Sequence, residues 1–259
     1  MSKIRVLLAG ESWSSTAFHT KGFDQFVTAE FQTGIGPLQQ ALAGSEVDLV
    51  HLPGHLAPTQ FPNTLAALSA YDVVVLSDIG ANSLLLHPDS FVRGQRTPNR
   101  LRLIAEWVEK GGGFMMIGGY YSFQGIYGAA RYARTAVEAI LPVTMLTHDD
   151  RVEVPEGFRP TATGDTHPSL AGLGSEWPWL LGYNETRLKD GAKLLLTTGG
   201  DYGHQPLLAA TRHGAGRTMA WTSDIGPHWL PQSFADWKGY RRLWIQCFTW
   251  LAGGHSDRI

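Results

Sequence analysis

A glycine-flanked turn follows a short apolar strand near the middle of the chain. Residues 114–117 are uniformly apolar, and residues 118–122 read Gly-Gly-Tyr-Tyr-Ser. Small residues around one larger side chain are typical of a nucleophile elbow, because the turn from strand to helix is tight and strained. The pattern predicts an elbow at Gly118, Gly119 and Tyr120, with Tyr120 presented at the end of the strand.

Other polar and aromatic residues follow the other predicted strands. Because ligands of doubly wound sheets bind beyond the carboxyl ends of the strands, we expect these residues to converge near Tyr120. They would form a polar pocket with an aromatic floor, which suits sugars or small polar metabolites. The predicted ligand-binding residues are Tyr120, Tyr121, Ser122, Ser77, Asp78, Asn82 and Trp229, with Glu11, Ser12, Trp13, His19 and Lys21 nearby after the first strand.

Three residues carry groups suited to acid and base chemistry, namely Glu11, Asp224 and His228. Structural interpretations stay open beside the functional ones. Glu11 and Asp78 would equally serve to cap helices or to bind backbone amides. A purely structural contact between Asp224 and His228, and a packing role for Tyr120 at the sheet edge, are likewise compatible with the sequence.

Two segments carry a resemblance to a known family. Residues 118–125 read Gly-Gly-Tyr-Tyr-Ser-Phe-Gln-Gly, and residues 223–229 read Ser-Asp-Ile-Gly-Pro-His-Trp. With these the chain resembles, over nearly its whole length, the class I glutamine amidotransferase-like superfamily. Within it the resemblance is to a bacterial family labelled "putative glutamine amidotransferase", related to ThuA-like proteins. The resemblance implies the fold of that superfamily and aligns Tyr120 with its nucleophilic cysteine.

The residues for amidotransferase chemistry are missing from the sequence. That chemistry needs a cysteine thiolate, a histidine base and a glutamate that orients the base, usually as His-x-Glu near the C-terminus. The one cysteine, Cys247, falls on the apolar face of the predicted last helix, and no His-x-Glu occurs. The phenol of Tyr120 is mostly protonated at neutral pH, because its ordinary pKa is about 10. We therefore predict no glutaminase activity.

Strands and helices alternate through the first half of the chain. Apolar runs predict buried strands at residues 4–9, 47–52, 72–77 and 114–117. Helices are predicted at residues 37–43, at residues 65–70 and from Thr97-Pro98 to the glycines at 111–113, with loops at residues 10–22 and 79–96. The alternation favours an α/β fold with a flavodoxin-like, doubly wound, mostly parallel sheet and helices on both faces.

The second half of the chain has a less regular pattern. It predicts a strand at residues 192–198, a hairpin of residues 207–211 and 217–222, and a closing helix over residues 240–251. The absence of a convincing linker predicts a single domain over residues 1–259. Residues 146–184 are rich in Pro, Gly and Trp and are predicted to form a lid or insertion.

Composition and charge argue against several classes of partner. The net charge is −2, and Lys and Arg are scattered, so we expect no nucleic-acid partner. The apolar run at residues 4–9 is too short for a signal peptide or a membrane span, and one cysteine fits a reducing compartment, so we expect a cytoplasmic protein without a membrane partner. The close pair His51 and His55 matches no zinc-binding pattern, so no metal is expected. The glycine-rich runs do not match a phosphate-binding loop, so no cofactor is expected either.

Three functional hypotheses follow from these observations. The first is a protein that binds a small polar molecule beside Tyr120, carbohydrate-like by the ThuA resemblance. The second is a hydrolase or isomerase that uses Asp, Glu and His as acid and base. The third is an assembly module, a homo-oligomer whose exposed aromatic residues form the interface. An acid–base pair aligned in a pocket would favour the enzyme, and a large apolar patch elsewhere would favour assembly.

Overall fold

The computed structural model describes residues 3–164 and 166–253, and an eight-stranded sheet forms its centre. The strands are β1 (Ile4–Gly10), β2 (Ser12–Lys21), β3 (Asp24–Thr33), β4 (Val47–Leu52), β5 (Val73–Ser77), β6 (Gly113–Ile117), β7 (Val143–Met145), β8 (Arg151–Phe158), β9 (Thr161–Ala162), β10 (Leu180–Asn184), β11 (Thr186–Leu188), β12 (Lys193–Thr197), β13 (Pro206–His213) and β14 (Gly216–Trp221). The helices are α1 (Gly36–Leu42), α2 (Ala57–Gln60), α3 (Leu65–Leu68), α4 (Ala81–Leu85), α5 (Pro88–Phe91), α6 (Arg100–Glu109), α7 (Ala136–Ile140), α8 (Gln232–Ala235) and α9 (Tyr240–Ala252).

The strand order in the central sheet is β4-β1-β5-β6-β14-β13-β12-β9. The first five strands are parallel, and β13, β12 and β9 continue the sheet in antiparallel pairs. The doubly wound, mostly parallel sheet predicted from the sequence is therefore confirmed, together with its C-terminal hairpin of β13 and β14 and the closing helix α9.

Helices cover both faces of the sheet, as predicted. One face packs against α1 and α9, with Leu38 and Trp244 in that core. The other face packs against α3, α4, α6 and α7, with Ile104 and Val137 among the buried residues. Every residue of β5 and β6 is buried, because strands covered on both faces have no solvent-facing side.

Helix α6 begins two residues later than the sequence predicts. Asn99, and not Thr97, caps it, since the Asn99 side chain accepts a hydrogen bond from the Arg102 backbone N–H at 3.1 Å. The hydroxyl of Thr97 instead lies 2.6 Å from that of Ser90. The predicted start at Thr97-Pro98 was wrong because Thr97 and Asn99 are both residues that can cap a helix, and Asn99 does so.

The predicted loop over residues 79–96 was also wrong in part, because it contains α4 and α5. Both helices are only one turn long, so their apolar residues show no helical period in the sequence. Leu84 of α4 is buried in the core, and the His87 ring caps α5 by accepting a hydrogen bond from the Asp89 N–H at 3.1 Å.

Residues 10–22 do not form the predicted loop. They lead into β2, which pairs with β3 in a two-stranded hairpin of ten cross-strand pairs that turns at Gly22 and Phe23. Gly22 ends the predicted loop in the sequence, whereas in the structure it forms part of the hairpin turn, with φ +62°. His19 and Lys21, predicted near the pocket, lie at the far end of this hairpin, where His19 Nε2 is 2.9 Å from Thr28 Oγ1.

The segment predicted as a lid or insertion, residues 146–184, contains β8, β9 and β10. Strands β8 and β10 pair with each other, and β9 extends the edge of the central sheet beside β12. Strand β7, just before this segment, pairs with β11, just after it. Strand β8 lies close to the elbow, since its residue Glu153 contacts Tyr120.

Candidate functional site

Three neighbouring parallel strands end in residues with a left-handed backbone. Glu11 follows β1 with φ 47°, Asp78 follows β5 with φ 45°, and Gly119 follows β6 with φ 138°. A non-glycine residue with positive φ is uncommon and strained, and such residues concentrate at functional sites. The strain lies at the carboxyl edge of the sheet, where the sequence predicts a pocket.

Gly119 is the residue of the elbow that adopts the left-handed backbone, and Tyr120 follows it. A Cβ on Gly119 would lie 3.0 Å from Asp78 Oδ1 and 3.1 Å from Asp224 Oδ1. A side chain at this position would therefore push against two carboxyl groups. Glycine allows both the backbone angle and the close approach.

Glu11 is a buried carboxyl group at the base of the site, with 6% of its surface exposed. The Ser77 hydroxyl donates a hydrogen bond to its Oε1. Burial raises the pKa of Glu11 well above its ordinary value, and the nearby charges of Asp224 and Asp78 raise it further. Glu11 therefore favours the neutral carboxylic acid.

Asp78 is tied to the elbow by its backbone and its side chain. Its N–H donates to Ser122 Oγ at 3.0 Å, and its Oδ1 accepts from the Tyr121 N–H at 2.7 Å. Burial is the largest influence on the Asp78 carboxyl and raises its pKa. Ser122 thus lies behind the site, holding Asp78 in its strained conformation.

Asp224 and His228 form a hydrogen-bonded pair across the site. Asp224 Oδ2 lies 2.9 Å from His228 Nδ1 and also accepts the Trp229 N–H at 2.9 Å. The hydrogen bond to Asp224 raises the pKa of His228, against a smaller opposing effect of burial. Since the side chain of His228 is half exposed, Asp224 fixes its orientation while the ring stays accessible.

Tyr120 is surrounded by aromatic and charged groups. Its ring lies 4.5 Å from that of His228 and 5.7 Å from that of Trp229, between centroids. Its hydroxyl donates to Glu153 Oε1 at 3.0 Å, and the Arg151 guanidinium lies 4.7 Å from its ring centre. Burial and the hydrogen bond to Glu153 raise the pKa of Tyr120, so the phenol stays protonated.

Glu153, which no sequence pattern indicates as a site residue, connects two aromatic residues. Its second oxygen accepts the Trp229 indole N–H at 2.8 Å, so one carboxylate connects Tyr120 to Trp229. Glu153 lies on β8, and nothing in the sequence indicates that β8 approaches the elbow.

A buried network beneath the elbow was also not predicted. Asn184 accepts from the Gly119 N–H at 3.0 Å and donates to the Gly119 carbonyl at 3.2 Å. Asp150 accepts from Asn184 at 2.8 Å and from the N–H groups of Gln124 and Gly125 at 2.8 and 2.9 Å. The two side chains fix the loop after β6, although both lie far from it in sequence.

A cavity of about 350 Å³ opens where these groups meet, and we call it the elbow cavity. Its lining residues are Glu11, Trp13, Asp78, Tyr120, Tyr121, Asp224, Gly226, Pro227 and His228. Of the other predicted residues, Ser77, Ser122 and Trp229 are buried behind this lining, and Asn82 is exposed on α4. A larger cavity of about 640 Å³ lies beside Leu170 and Trp177, and the described residues that line it include no carboxyl group.

The described residues contain no group of three or more His, Cys, Asp or Glu side chains arranged to hold a metal ion. The carboxyl groups of Glu11, Asp78 and Asp224 influence one another electrostatically, yet they are held by hydrogen bonds to Ser77, Tyr121 and Trp229. Proton and hydrogen-bond chemistry is what this arrangement supplies.

Comparison with known proteins shows the family of the chain. Residues 5–253 match the family model described as "Putative glutamine amidotransferase". The chain belongs to this family. None of the curated proteins matches it.

Solved structures agree with this membership. A cytoplasmic protein from Salmonella typhimurium is 39% identical with a TM-score of 0.90, and the match covers 95% of this chain and 98% of that one. A second cytoplasmic protein, from Salmonella typhimurium LT2, is 38% identical with a TM-score of 0.90 over 96% of this chain and 99% of that one. A ThuA-like protein from Parabacteroides merdae shares the fold at 14% identity, with a TM-score of 0.56 over 97% and 91% of the two chains.

The family name describes a chemistry for which this chain lacks the nucleophile. Position 120 is tyrosine, and the sole cysteine, Cys247, is fully buried in α9. Burial raises the pKa of the Cys247 thiol to about 12, so it is not a thiolate at neutral pH.

Among the described residues, no helix has the length and apolar character that a membrane span requires.

Proposed function

We propose that the elbow cavity binds a small neutral or cationic ligand rich in hydroxyl or amino groups, and that the chain does not hydrolyse glutamine. The observation that carries this proposal is the meeting of three carboxyl groups, those of Glu11, Asp78 and Asp224, with aromatic rings in one cavity. A carbohydrate-like molecule is the best fit to this lining.

The charge of the cavity selects the class of ligand. Carboxyl oxygens accept hydrogen bonds from hydroxyl and amino groups, and they repel phosphates and carboxylates. Burial raises the pKa of Glu11, so this group is protonated more readily than an ordinary carboxyl group, and in its protonated form it also donates a hydrogen bond. Tyr120, Tyr121 and Trp13 present ring surfaces against which the carbon face of a sugar packs.

The absence of glutaminase activity follows from the same groups. Attack on an amide needs a nucleophile that is deprotonated or is activated by an adjacent base. Burial and the hydrogen bond to Glu153 raise the pKa of the Tyr120 phenol, so at neutral pH it stays protonated and is a poor nucleophile. The carboxyl groups around it would also repel the α-carboxylate of glutamine.

A second candidate function is acid–base catalysis on the bound ligand, by a hydrolase or an isomerase. The 2.9 Å contact between Asp224 and His228 favours it, because a carboxylate that orients a histidine is a recurring device of proton transfer. Because Asp224 holds Nδ1 of His228, the other ring nitrogen, Nε2, is the one that can contact a ligand. Protonated Glu11 would act as the acid.

The test is a thermal-unfolding screen of the purified protein against matched sets of compounds. Neutral sugars, polyols and amino sugars should raise the melting temperature, whereas sugar phosphates, glutamate and glutamine should not. A ligand at about 100 times its Kd stabilises a fold by about 2.7 kcal/mol. The Asp224→Asn and Glu11→Gln variants should lose the shift while Asn82→Ala, outside the cavity, should keep it.

The two candidate functions separate in the same experiment. Binding without conversion of the compound, followed by NMR of the mixture, supports a binding protein; conversion that His228→Gln abolishes supports the enzyme. Stabilisation by anionic compounds alone would contradict the proposed ligand class. Release of ammonia from glutamine would contradict the absence of glutaminase activity.

The cytoplasm is the compartment that we propose for this chain. The two Salmonella relatives, at 39% and 38% identity, are described as cytoplasmic proteins. The net charge of −2 and the scattered basic residues support the absence of a nucleic-acid or membrane partner.

A further inference from the structure

A second cavity, of about 380 Å³, opens beside the elbow cavity. We call it the hairpin cavity, because the base of the hairpin of β2 and β3 forms one of its walls. The two cavities share three lining residues, which are Trp13, Asp78 and Tyr121. Side chains that line both cavities lie at the boundary between them, so one ligand can extend from the elbow cavity into the hairpin cavity.

Contacts between the hairpin and the loop after β4 build the hairpin cavity. The Ser12 hydroxyl accepts a hydrogen bond from the Gly54 N–H at 2.7 Å, and the Phe31 ring lies edge-on to the His55 ring at 4.9 Å between centroids. Ser83 of α4 supplies part of the remaining lining. The base of the hairpin is therefore fixed to the rest of the chain, although most of the hairpin is exposed.

The alternation of side chains along β2 directs different groups toward the two cavities. Ser12 and Ser14 share one face of the hairpin with Phe31, which is directly opposite Ser14. These three residues line the hairpin cavity and not the elbow cavity. Trp13 lies on the other face and lines both cavities, and its indole N–H donates to Gln32 Oε1 at 2.8 Å. This hydrogen bond holds the indole at the boundary.

The chemistry of the hairpin cavity suits a neutral sugar ring. The rings of Trp13, Phe31 and Tyr121 offer apolar surfaces to the carbon face of a sugar, and three serine hydroxyls donate and accept hydrogen bonds. Asp78 is the one carboxyl group among the described residues of the lining. Those residues include no lysine or arginine that would attract an anion.

We propose that the ligand is an oligosaccharide of at least two units, with one unit in the elbow cavity and the next, neutral unit in the hairpin cavity. This inference rests on the proposed function and specifies the size of the ligand. Each cavity alone is at the small end of the range of about 300–1,000 Å³ that is usual for small-molecule sites, so a disaccharide needs both. Asp78 and Tyr121, at the boundary, would contact the linkage between the units.

Calorimetric titration with matched sugars measures what the hairpin cavity contributes. The probes are glucose, galactose and mannose, with maltose, cellobiose, lactose and mannobiose as the disaccharides. With the natural chain, at least one disaccharide should bind with a Kd about tenfold or more below that of its monosaccharide, because the second unit adds contacts. Equal affinity for monosaccharides and disaccharides overturns the second unit and leaves the proposed function standing. Binding of no sugar contradicts both.

Phe31→Ala and Phe18→Ala form a matched pair of variants on one face of the hairpin. Phe31 lines the hairpin cavity, whereas Phe18 is 82% exposed and lines neither cavity. Phe31→Ala should raise the disaccharide Kd about tenfold and leave the monosaccharide Kd within about threefold, since a monosaccharide occupies the elbow cavity alone. Phe18→Ala should leave both Kd values within about threefold.

Ser83→Leu and Asn82→Leu form a second pair, on α4, that leaves the hairpin itself unchanged. Leucine at position 83 would fill part of the hairpin cavity and should raise the disaccharide Kd about tenfold or more. Asn82 is exposed and lines neither cavity, so its replacement should have no such effect. Far-UV circular dichroism checks that all variants keep the fold. A preference for disaccharides that Phe31→Ala and Ser83→Leu leave unchanged overturns the inference.

Discussion

At the scale of single residues, two carboxyl groups of the site bind their protons more tightly than ordinary carboxyl groups do. Glu11 has a pKa raised mainly by burial, and Asp78 shares the cause and the direction. A carboxyl group with a raised pKa in the folded state binds its proton more tightly there than in the unfolded chain. Its contribution to stability is present at low pH and is lost as the pH rises through the folded pKa.

Replacement of Glu11 by Gln removes this pH-dependent contribution. Gln keeps an oxygen that accepts the Ser77 hydroxyl and never becomes charged. We expect Glu11→Gln to be more stable than the natural chain by about 1–2 kcal/mol above the folded pKa, with the difference shrinking toward the ordinary Glu pKa near 4.3. Thermal unfolding across a pH series, natural chain against variant, measures it. A difference that grows as the pH falls would show that the pKa of Glu11 is lowered instead.

His228 contributes with the same sign at higher pH. Its pKa is raised by the hydrogen bond to Asp224, so the stabilisation is complete below the unfolded value near 6.5 and is lost as the pH rises through the folded value. His228→Gln should therefore flatten the stability profile between these two pKa values, as measured by thermal unfolding across a pH series. It leaves the Glu11 contribution in place.

Gly119 is a position in the elbow where a side chain would be costly. Gly119→Ala would force a Cβ into a backbone with φ 138° and against the carboxyl oxygens of Asp78 and Asp224. We expect a loss of about 2–3 kcal/mol in the free energy of unfolding, measured by chemical denaturation. Gly36→Ala is the control, because a Cβ there meets nothing within 4 Å, and it should change stability by less than about 1 kcal/mol.

At the scale of the elements, the loop after β6 is held from below by residues of other strands. Asn184 satisfies both backbone groups of Gly119 and contacts Asp150. Asn184→Ala would leave the buried Gly119 N–H without its acceptor and would remove one of the three hydrogen bonds that Asp150 accepts. We expect a loss of about 2–4 kcal/mol by chemical denaturation, against less than about 0.5 kcal/mol for Asn82→Ala on the exposed side of α4. Equal effects of the two variants would remove Asn184 from its supporting role.

The sequence predicts elements well where one local signal dominates. The run of β-branched residues in β5 and the helical spacing of Leu243, Trp244 and Cys247 in α9 have few competing interpretations. One-turn helices such as α4 carry too few residues for a period. The hairpin of β2 and β3 was not predicted, because the serine and threonine residues of β2 are typical of a loop. In the strand these residues alternate between the two faces of the hairpin.

The site was predictable to the extent that parallel topology alone determines it. Glu11, Asp78 and Asp224 each follow a strand of one parallel set, so the strand order brings them to a shared edge. Glu153 and Asn184 come from β8 and β10, whose pairing is set by side-chain packing over long sequence distances. No short-range pattern encodes such a pairing.

At the scale of the whole molecule, membership of a family and possession of its chemistry are separate facts. The match over residues 5–253 and the 39% identity to a cytoplasmic Salmonella protein establish the fold and the family. The groups that the structure places around Tyr120 are hydrogen-bonding and aromatic side chains, and the one cysteine of the sequence lies buried in α9.

The position of β14 has a consequence for how the chain reaches this state. The strand lies between β6 and β13, so the middle of the sheet keeps an open edge until residues 216–221 have left the ribosome. Contacts between residues so distant in sequence form slowly, because the entropy of closing a long loop is lost first. Asp224 and His228 follow β14 in sequence, so the elbow cavity is incomplete until β14 has joined the sheet. A nascent chain that stalls before that stage exposes an unpaired strand and has no site.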